Sequence, residues 1–255
     1  MAFFIFTIMS VYVHDKVVPF KGSEAAKKQQ VEEMFNNIAF RYDFLNRFLS
    51  AGIDISWRRK AISMLIPQKP DNILDIATGT GDMAIMAYKM LKPQKVTGID
   101  ISEGMLSIGK SKIKKLGLSE NIELIKGDSE TISFDDNTFD AATVAFGVRN
   151  FEDLEKGLGE IHRVLKEGAM LVVLEFSRPC KGWVKPFYKF YMSIILPLFG
   201  GLFSKDKKAY SYLNESVSKF PEGDQFLKVL TKIGFKQVLN KKLSLGICSI
   251  YCGTK

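Results

Sequence analysis

A glycine-rich turn that directly follows a short apolar run is the feature that most constrains the fold of this chain. The run Asn72 to Ala77 is mostly apolar, and Thr78-Gly79-Thr80-Gly81 comes immediately after it. A run of this length is typical of a buried parallel strand. Glycines after such a strand let the backbone approach a ligand closely, because no side chain stands in the way. The sequence therefore predicts a central strand that ends at a turn suited to bind a nucleotide.

Short apolar runs and amphipathic stretches alternate along the rest of the chain, which indicates an α/β fold with a parallel, doubly wound sheet. Further strands are predicted at Lys95 to Asp100, Ile122 to Lys126, Ala141 to Phe146 and Ala169 to Glu175, with a closing pair at Gln237 to Leu239 and Leu245 to Tyr251. Helices are predicted at Met83 to Leu91, Gly104 to Leu116, Leu154 to Leu165 and Asp224 to Ile233.

The length of 255 residues is enough for one domain with one core. We expect a single domain over residues 29–255, made of a helical N-terminal cap (29–66), a cofactor-binding core (72–175) and an aromatic and lysine-rich insertion after the fifth strand (176–222). Residues 1–28 are expected to be a tail. Its first eight residues are apolar, and either Met1 or Met9 can be the true start, with Met9 preferred.

The net charge of +8 is concentrated in one region. Residues 181–242 hold twelve lysines against four acids, which accounts for the whole excess. Such a surface can face nucleic acid, an anionic membrane or water, and composition leaves the three open. The three cysteines lack metal-site spacing, so we expect no metal and a reduced, cytoplasmic protein.

Acidic residues near the strand ends separate two cofactor classes. The glycines also fit the dinucleotide pattern G-x-G-x-x-A, and Asp100 lies where a carboxylate accepts both hydroxyls of a ribose. Two further features favour S-adenosylmethionine. Asp75 precedes the glycines, where it can accept from the cationic end of an amino-acid-bearing cofactor, and Asp128 with Ser129 can bind an adenine edge after the third strand.

Motifs along most of the chain resemble those of one enzyme family. They are Phe35-x2-Ile-Ala-x2-Tyr-Asp43-x2-Asn46, Ser50-x-Gly52-x4-Trp57-Arg58, Ile73-Leu-Asp75 with Gly79-Thr-Gly-Asp82, Asp100-Ile-Ser-x2-Met-Leu106, Phe146-Gly147-x-Arg149-Asn150, Leu174-Glu-Phe-Ser177-x-Pro179, Tyr188-x2-Tyr191 with Pro197-x2-Gly200, and Tyr210-x-Tyr-Leu-x-Glu-Ser216. From Gln29 to the C-terminus the chain resembles the quinone-biosynthesis C-methyltransferases, which methylate demethylmenaquinol and 2-polyprenyl-6-methoxy-1,4-benzoquinol.

The resemblance implies a seven-stranded Rossmann-like sheet, S-adenosylmethionine as methyl donor and a prenylated quinol as acceptor. Carried over by position, it places Thr80, Asp100, Asp128 and Ser129 in contact with the cofactor, beside the glycines Gly79 and Gly81. Related benzoquinol enzymes have a serine where this chain has Ala145, which favours demethylmenaquinol. A prenylated substrate also implies transient contact of the insertion with the inner face of the membrane. Whether the chain forms a homodimer stays open.

Three residues are predicted to act on the acceptor. Arg149 follows the fourth strand at the edge where doubly wound folds bind substrates, and it would stabilise the oxyanion of the quinol. Asn150 would orient Arg149, and Tyr42 would act as a base, with Asp43 and Asp54 as alternatives. The structural alternative is that Arg149 pairs with Glu152 or Asp153.

Two competing functions remain open at this stage. An RNA methyltransferase would use the basic C-terminal third, and it would bind nucleic acid with a steep dependence on salt. A non-catalytic scaffold of a quinone-synthesis complex would bind cofactor without turnover. We expect the quinol methyltransferase, with no nucleic-acid partner.

Overall fold

A seven-stranded sheet forms the centre of the computed structural model, which describes residues 12–179, Gly182 and residues 207–255. The strands are β1 Asn72–Ile76, β2 Lys95–Asp100, β3 Ile122–Lys126, β4 Phe139–Ala145, β5 Leu165–Phe176, β6 Lys236–Leu243 and β7 Cys248–Thr254. Their order across the sheet is β3-β2-β1-β4-β5-β7-β6. Strands β1 to β5 are parallel, whereas β7 runs antiparallel to both β5 and β6.

Helices cover both faces of this sheet. Within the described residues they are α1 Lys27–Leu49, α2 Ile53–Ser63, α3 Asp82–Leu91, α4 Glu103–Lys115, α5 Leu154–Val164, α6 Lys207–Lys219 and α7 Asp224–Ile233. The predicted α/β architecture with a seven-stranded Rossmann-like sheet is confirmed.

Side chains of the central strands point alternately into two hydrophobic layers, one on each face of the sheet. Leu74 and Ile76 of β1 pack with Leu158 and Ile161 of α5 on one face. Ile73, which directly precedes Leu74, faces the other layer, which contains residues of α2, α3 and α4. Because both faces are buried, the strands read as nearly continuous apolar runs rather than as an alternating pattern.

The structure corrects several predicted boundaries by a few residues. Strand β4 ends at Ala145, and the next residue, Phe146, has a φ of 58° that no strand residue adopts. Strand β5 begins at Leu165, where a short pairing with Phe139 precedes a register shift. The closing pair is longer than predicted, and a short 3-10 helix, Ser244–Gly246, joins its strands.

The predicted tail is only partly separate from the domain. Residues 1–11 lie outside the described residues, but His14 and Val17 are buried against the core. The Lys27 ammonium, also buried, donates to the carbonyls of His14 and Phe151. Desolvation lowers the pKa of Lys27 to about 8 and that of His14 to about 3, with a further lowering of His14 by the charge of Lys27. The segment from Tyr12 onward therefore belongs to the packed domain.

The predicted insertion over 176–222 falls largely outside the described residues, which resume at Lys207 with α6. The aromatic residues of this insertion from Trp183 to Phe203, which we expect to contact the membrane, lie in that gap. On the described side, Arg178 pairs with Glu222 at 2.6 Å and joins the end of β5 to the loop before α7.

Candidate active site

A cleft with about 660 Å³ of non-protein space opens at the carboxyl ends of β1, β2 and β4. This is the edge where ligands bind in open parallel sheets, at the point where strand order reverses. The residues that line it are Lys28, Val31, Phe35, Tyr42, Ala77, Gly79, Asp100, Ile101, Met105, Gly127, Asp128, Ser129, Glu130, Ala145, Phe146, Gly147, Asn150, Phe151 and Glu152. They include six of the predicted site residues.

The glycine turn between β1 and α3 presents bare backbone to this cleft. Gly79 has a φ of +55°, and a side chain at this position would meet no atom within 4 Å. The turn is held by the Thr78 amide, which donates to the Ile99 carbonyl at 3.0 Å, and by the Gly81 amide, which donates to the Thr78 carbonyl. A ligand can thus approach the Gly79 backbone closely, as the sequence predicts.

Asp100, at the end of β2, lines the cleft as a hydrogen-bond acceptor. Its carboxylate accepts the Gly79 amide at 2.8 Å and the Ser102 amide at 2.9 Å. These bonds orient both oxygens while leaving each a further lone pair. Burial raises the pKa of Asp100 to about 6. The geometry fits a carboxylate that accepts two ribose hydroxyls.

Asp128 and Ser129, at the other end of the cleft, follow β3. Lys28 of α1 donates to Asp128 at 2.6 Å and lies 3.3 Å from Glu130. Burial acts to raise the pKa of Asp128, but the hydrogen bonds from Lys28 and from the Glu130 amide lower it overall. Asp128 is therefore ionised and already accepts a hydrogen bond from Lys28. Its carboxylate could also accept a hydrogen bond from an adenine amine.

Asp75 does not line the cleft. Its carboxylate is buried below the glycine turn and accepts the hydroxyls of Thr78 and Thr143, both at 2.6 Å. Burial raises its pKa to about 6. Asp75 thus braces the turn that a cofactor would touch, and its contact with the amino group of a cofactor stays a prediction.

Thr80 and Gly81 also lie behind the lining residues. The Thr80 hydroxyl donates to Asp43 of α1 at 2.5 Å, and Gly81 is the left-handed residue that begins α3. Lys112 bridges Asp43 at 2.8 Å and Asp82 at 2.6 Å. These ion pairs fasten the cap helix to the glycine turn, so the cap forms one wall of the cleft.

Arg149 is buried beside the cleft and is held by a partner that the sequence analysis missed. Its Nη1 donates to the Glu175 carboxylate at 2.9 Å and to the carbonyl of Phe146. Glu175 ends β5, is fully buried, and also accepts the Phe176 amide at 2.8 Å. The pairing with Glu152 or Asp153 that we considered is replaced by this buried pair. No short motif joins positions 149 and 175, so only the adjacency of β4 and β5 could have indicated it.

Asn150 and Tyr42 both line the cleft, but Asn150 does not have the predicted partner. Its Oδ1 accepts the Tyr212 hydroxyl at 3.1 Å, so Asn150 is joined to α6, while Glu175 orients Arg149. Tyr42 packs edge-on against Phe35, with ring centroids 5.9 Å apart. Of the alternative bases, Asp43 is occupied by Thr80 and Lys112, and Asp54 accepts the Ser50 hydroxyl.

An aromatic cluster borders Arg149 and was also missed. The rings of Phe146 and Phe176 lie 4.6 Å apart, and Trp57 packs against both. Gly147 permits the tight junction of β1 and β4 here, because a Cβ on it would come within 2.5 Å of the Ala77 Cβ. Of these three rings, Phe146 also lines the cleft. The described residues contain no group of acids, histidines or cysteines suited to a metal ion.

The fold is that of the class I S-adenosylmethionine-dependent methyltransferases. A putative S-adenosylmethionine-dependent methyltransferase from Methanococcus maripaludis superposes with a TM-score of 0.62 at 20% identity, over 91% of this chain and 96% of that one. The [4+2]-cyclase SpnF superposes with a TM-score of 0.65 at 16% identity, over 91% and 97%. One neighbour is thus named as a cyclase, so the fold alone does not fix the reaction.

Sequence comparison identifies the family within that class. A model described as the ubiE/COQ5 methyltransferase family matches residues 23–255, and the chain belongs to this family. The chain is 50% identical to a demethylmenaquinone methyltransferase of Bacteroides fragilis, over 96% of its length and 99% of the relative's. It is 45% identical to a ubiquinone/menaquinone biosynthesis C-methyltransferase of Geotalea daltonii, over 90% and 97%. The predicted family, cofactor and enzyme class are confirmed.

Proposed function

We propose that this enzyme transfers a methyl group from S-adenosylmethionine to a ring carbon of demethylmenaquinol, forming menaquinol. The observation that carries the proposal is the identity of 50% over nearly the full length with a demethylmenaquinone methyltransferase. The site supports it, because a cofactor cleft adjoins a buried arginine in aromatic surroundings.

The bound donor supplies a sulfonium methyl, which is already a strong electrophile. The protein must therefore make the ring carbon nucleophilic and hold it in line. Loss of the proton from the adjacent hydroxyl places negative charge on that carbon, and its electron pair forms the new C–C bond as the methyl–sulfur bond breaks. The proton on the same carbon then leaves and the ring regains its aromaticity.

Arg149 is suited to stabilise the oxyanion of the acceptor. Its guanidinium is fixed by Glu175 before the acceptor binds, and preorganised cations in sites that exclude water are effective at stabilising developing charge. Asn150 and Tyr42 line the cleft, where Asn150 would position the quinol and Tyr42 would accept its proton directly or through water. The cofactor would be held by Asp100, Asp128, Ser129 and the Gly79 backbone.

Ala145 supports a naphthoquinol over a benzoquinol as acceptor. It lines the cleft at the end of β4, where a serine in related benzoquinol enzymes would present a hydroxyl. A methyl group makes that wall apolar. The name of a relative agrees with this choice, since the protein from Porphyromonas gingivalis, 42% identical over 94% of this chain, is also named a demethylmenaquinone methyltransferase.

Brief contact with a membrane surface is part of the proposal, since a prenylated acceptor resides in lipid. No helix among the described residues is long and apolar enough to cross a bilayer. Phe40 of the cap is 91% exposed, and Phe44 and Phe48, one turn apart along the same helix, are about half exposed. Aromatic rings near basic side chains such as Arg41 suit an anionic interface.

The RNA methyltransferase considered above has no support among the relatives described here, whose names specify quinone biosynthesis. The decisive experiment is methyl transfer from labelled S-adenosylmethionine to demethylmenaquinol, to 2-polyprenyl-6-methoxybenzoquinol and to total RNA, in parallel with detergent and reductant. We expect label in demethylmenaquinol above all. Label in RNA alone, or in no acceptor despite measured cofactor binding, would refute the proposal.

A further inference from the structure

A second buried arginine flanks the same aromatic pair as Arg149. Arg58 of α2 lies over the Phe146 ring, with its guanidinium carbon 5.3 Å from the ring centroid. Arg149 lies 5.7 Å from the Phe176 ring in the same way. Because the centroids of the two rings are themselves only 4.6 Å apart, both guanidinium groups flank one aromatic pair, of which Phe146 lines the cleft.

Both arginines keep a hydrogen-bond donor in reserve. The Nε atoms of Arg58 and Arg149 are buried and have no hydrogen-bond partner among the described residues. Arg58 has Asp54 at 3.8 Å, which is too far for a hydrogen bond, and Asp54 itself accepts from Ser50. A buried cationic donor without an acceptor is costly, so each of these two groups calls for an acceptor that the described residues do not supply.

We propose that Arg58 binds the second oxygen of the acceptor, opposite Arg149. A hydroquinol carries two hydroxyls across its ring, one beside the carbon that is methylated and one on the far side. Arg149 would bind the near oxygen and Arg58 the far one, with the ring against Phe146. This inference rests on the proposed function, and it makes α2 of the cap part of the acceptor site.

The competing explanation is that Arg58 has only a structural role. Its charge acts to lower the pKa of Asp75 and Asp82, so under this explanation its loss would act through the cofactor side and weaken cofactor binding. A change of substrate separates the two roles. A prenylated naphthol that keeps only the hydroxyl beside the methylated carbon lacks the group that Arg58 would bind, but it keeps the group proposed for Arg149.

The test measures kcat/KM of the wild type, Arg58→Gln and Arg58→Lys with the prenylated naphthohydroquinol and with this naphthol. Arg59→Gln is the matched control, since Arg59 is exposed and adjacent in the chain. For Arg58→Gln we expect a loss of roughly tenfold to a hundredfold with the hydroquinol, the range for a hydrogen bond to a charged group. With the naphthol it should stay within about twofold of the wild type.

Arg58→Lys should recover part of the loss, because it keeps the charge but not the planar donor set. Cofactor affinity, measured by calorimetry, should be unchanged in Arg58→Gln, and Arg59→Gln should match the wild type throughout. Equal losses with both acceptors, or no loss with either, would overturn the inference while leaving the proposed function intact. A wild type that binds cofactor but methylates neither acceptor would instead refute the proposed function, and this inference with it.

Discussion

The two halves of the active site are built differently. On the cofactor side, Gly79, Asp100 and Asp128 lie directly after three parallel strands, and their polar groups face an open cleft. On the acceptor side, Arg149 and Glu175 are buried, and their aromatic neighbours come from α2 and the ends of β4 and β5. One half is a row of strand ends, whereas the other is assembled from distant segments.

This difference has a physical consequence for how each half tolerates change. A substitution on the cofactor side removes an acceptor that water can replace, so the fold should survive and affinity should fall. A substitution on the acceptor side leaves a charge buried without its partner, which costs folding free energy as well as activity. Variants of the cofactor side should therefore lose mainly cofactor affinity, whereas variants of the acceptor side should also lose free energy of unfolding.

The largest effect is expected from breaking the buried pair. Glu175→Ala leaves the Arg149 guanidinium without its carboxylate, and we expect a loss of about 3 to 5 kcal/mol in the free energy of unfolding, measured by urea denaturation. Replacing both members with apolar residues, as in Arg149→Met with Glu175→Leu, should recover much of the stability, because no charge is then stranded. Turnover should remain lost in the double variant.

The double variant is the control for this prediction. If it regains both stability and methyl transfer, Arg149 has a structural role alone, and the oxyanion must be stabilised by another group. A Glu175→Ala protein as stable as the wild type would show that the pair is solvated, contrary to the burial of both side chains.

A smaller effect is expected on the cofactor side. Asp100→Ala removes the carboxylate that would accept the two ribose hydroxyls, and we expect the Kd for S-adenosylmethionine to rise about a hundredfold or more. The free energy of unfolding should change little compared with Glu175→Ala. Calorimetric titration measures the first and urea denaturation the second. Unchanged affinity would contradict the assignment of the cleft.

The same contrast explains what the sequence could and could not predict. Gly79, Asp100 and Asp128 were predicted because each follows a strand within a few residues, so local spacing carries the information. Glu175 lies 26 residues from Arg149, and the Trp57 indole donates to the Ser244 hydroxyl across 187 residues. No local pattern encodes such contacts, which exist only once β4, β5 and the cap have packed together.

The position of Asp75 behind the residues that line the cleft has a related reason. A strand alternates its side chains between the two faces of the sheet, and Asp75 lies opposite Thr143 of the neighbouring strand. Its position one strand residue before the turn thus directs it to Thr143 and Thr78 rather than to the cleft. Spacing from the glycines alone could not distinguish a ligand contact from a brace beneath the turn.

The smallest expected effect is the change of cofactor affinity with pH. The pKa of Asp100 is about 6, raised by burial, so in the free protein a proton competes with the ribose hydroxyls below that pH. Since binding favours the carboxylate, the bound form should have the lower pKa and binding near pH 6 should release a proton. Affinity is then full above about pH 7 and falls as pH drops through 6, with Kd about tenfold weaker near pH 5. Calorimetry in two buffers of different ionisation enthalpy measures both the Kd and the number of protons released on binding.

Asp100→Asn is the matched variant for the pH experiment, because it keeps the shape of the side chain and cannot titrate. Its affinity should be low and independent of pH between 5 and 7, without proton release. A pH dependence that persists in Asp100→Asn would assign the proton to another group instead, and Asp75 is the first candidate, since burial raises its pKa to about 6 as well. In that case the brace beneath the turn, rather than the residue that lines the cleft, would couple cofactor binding to pH.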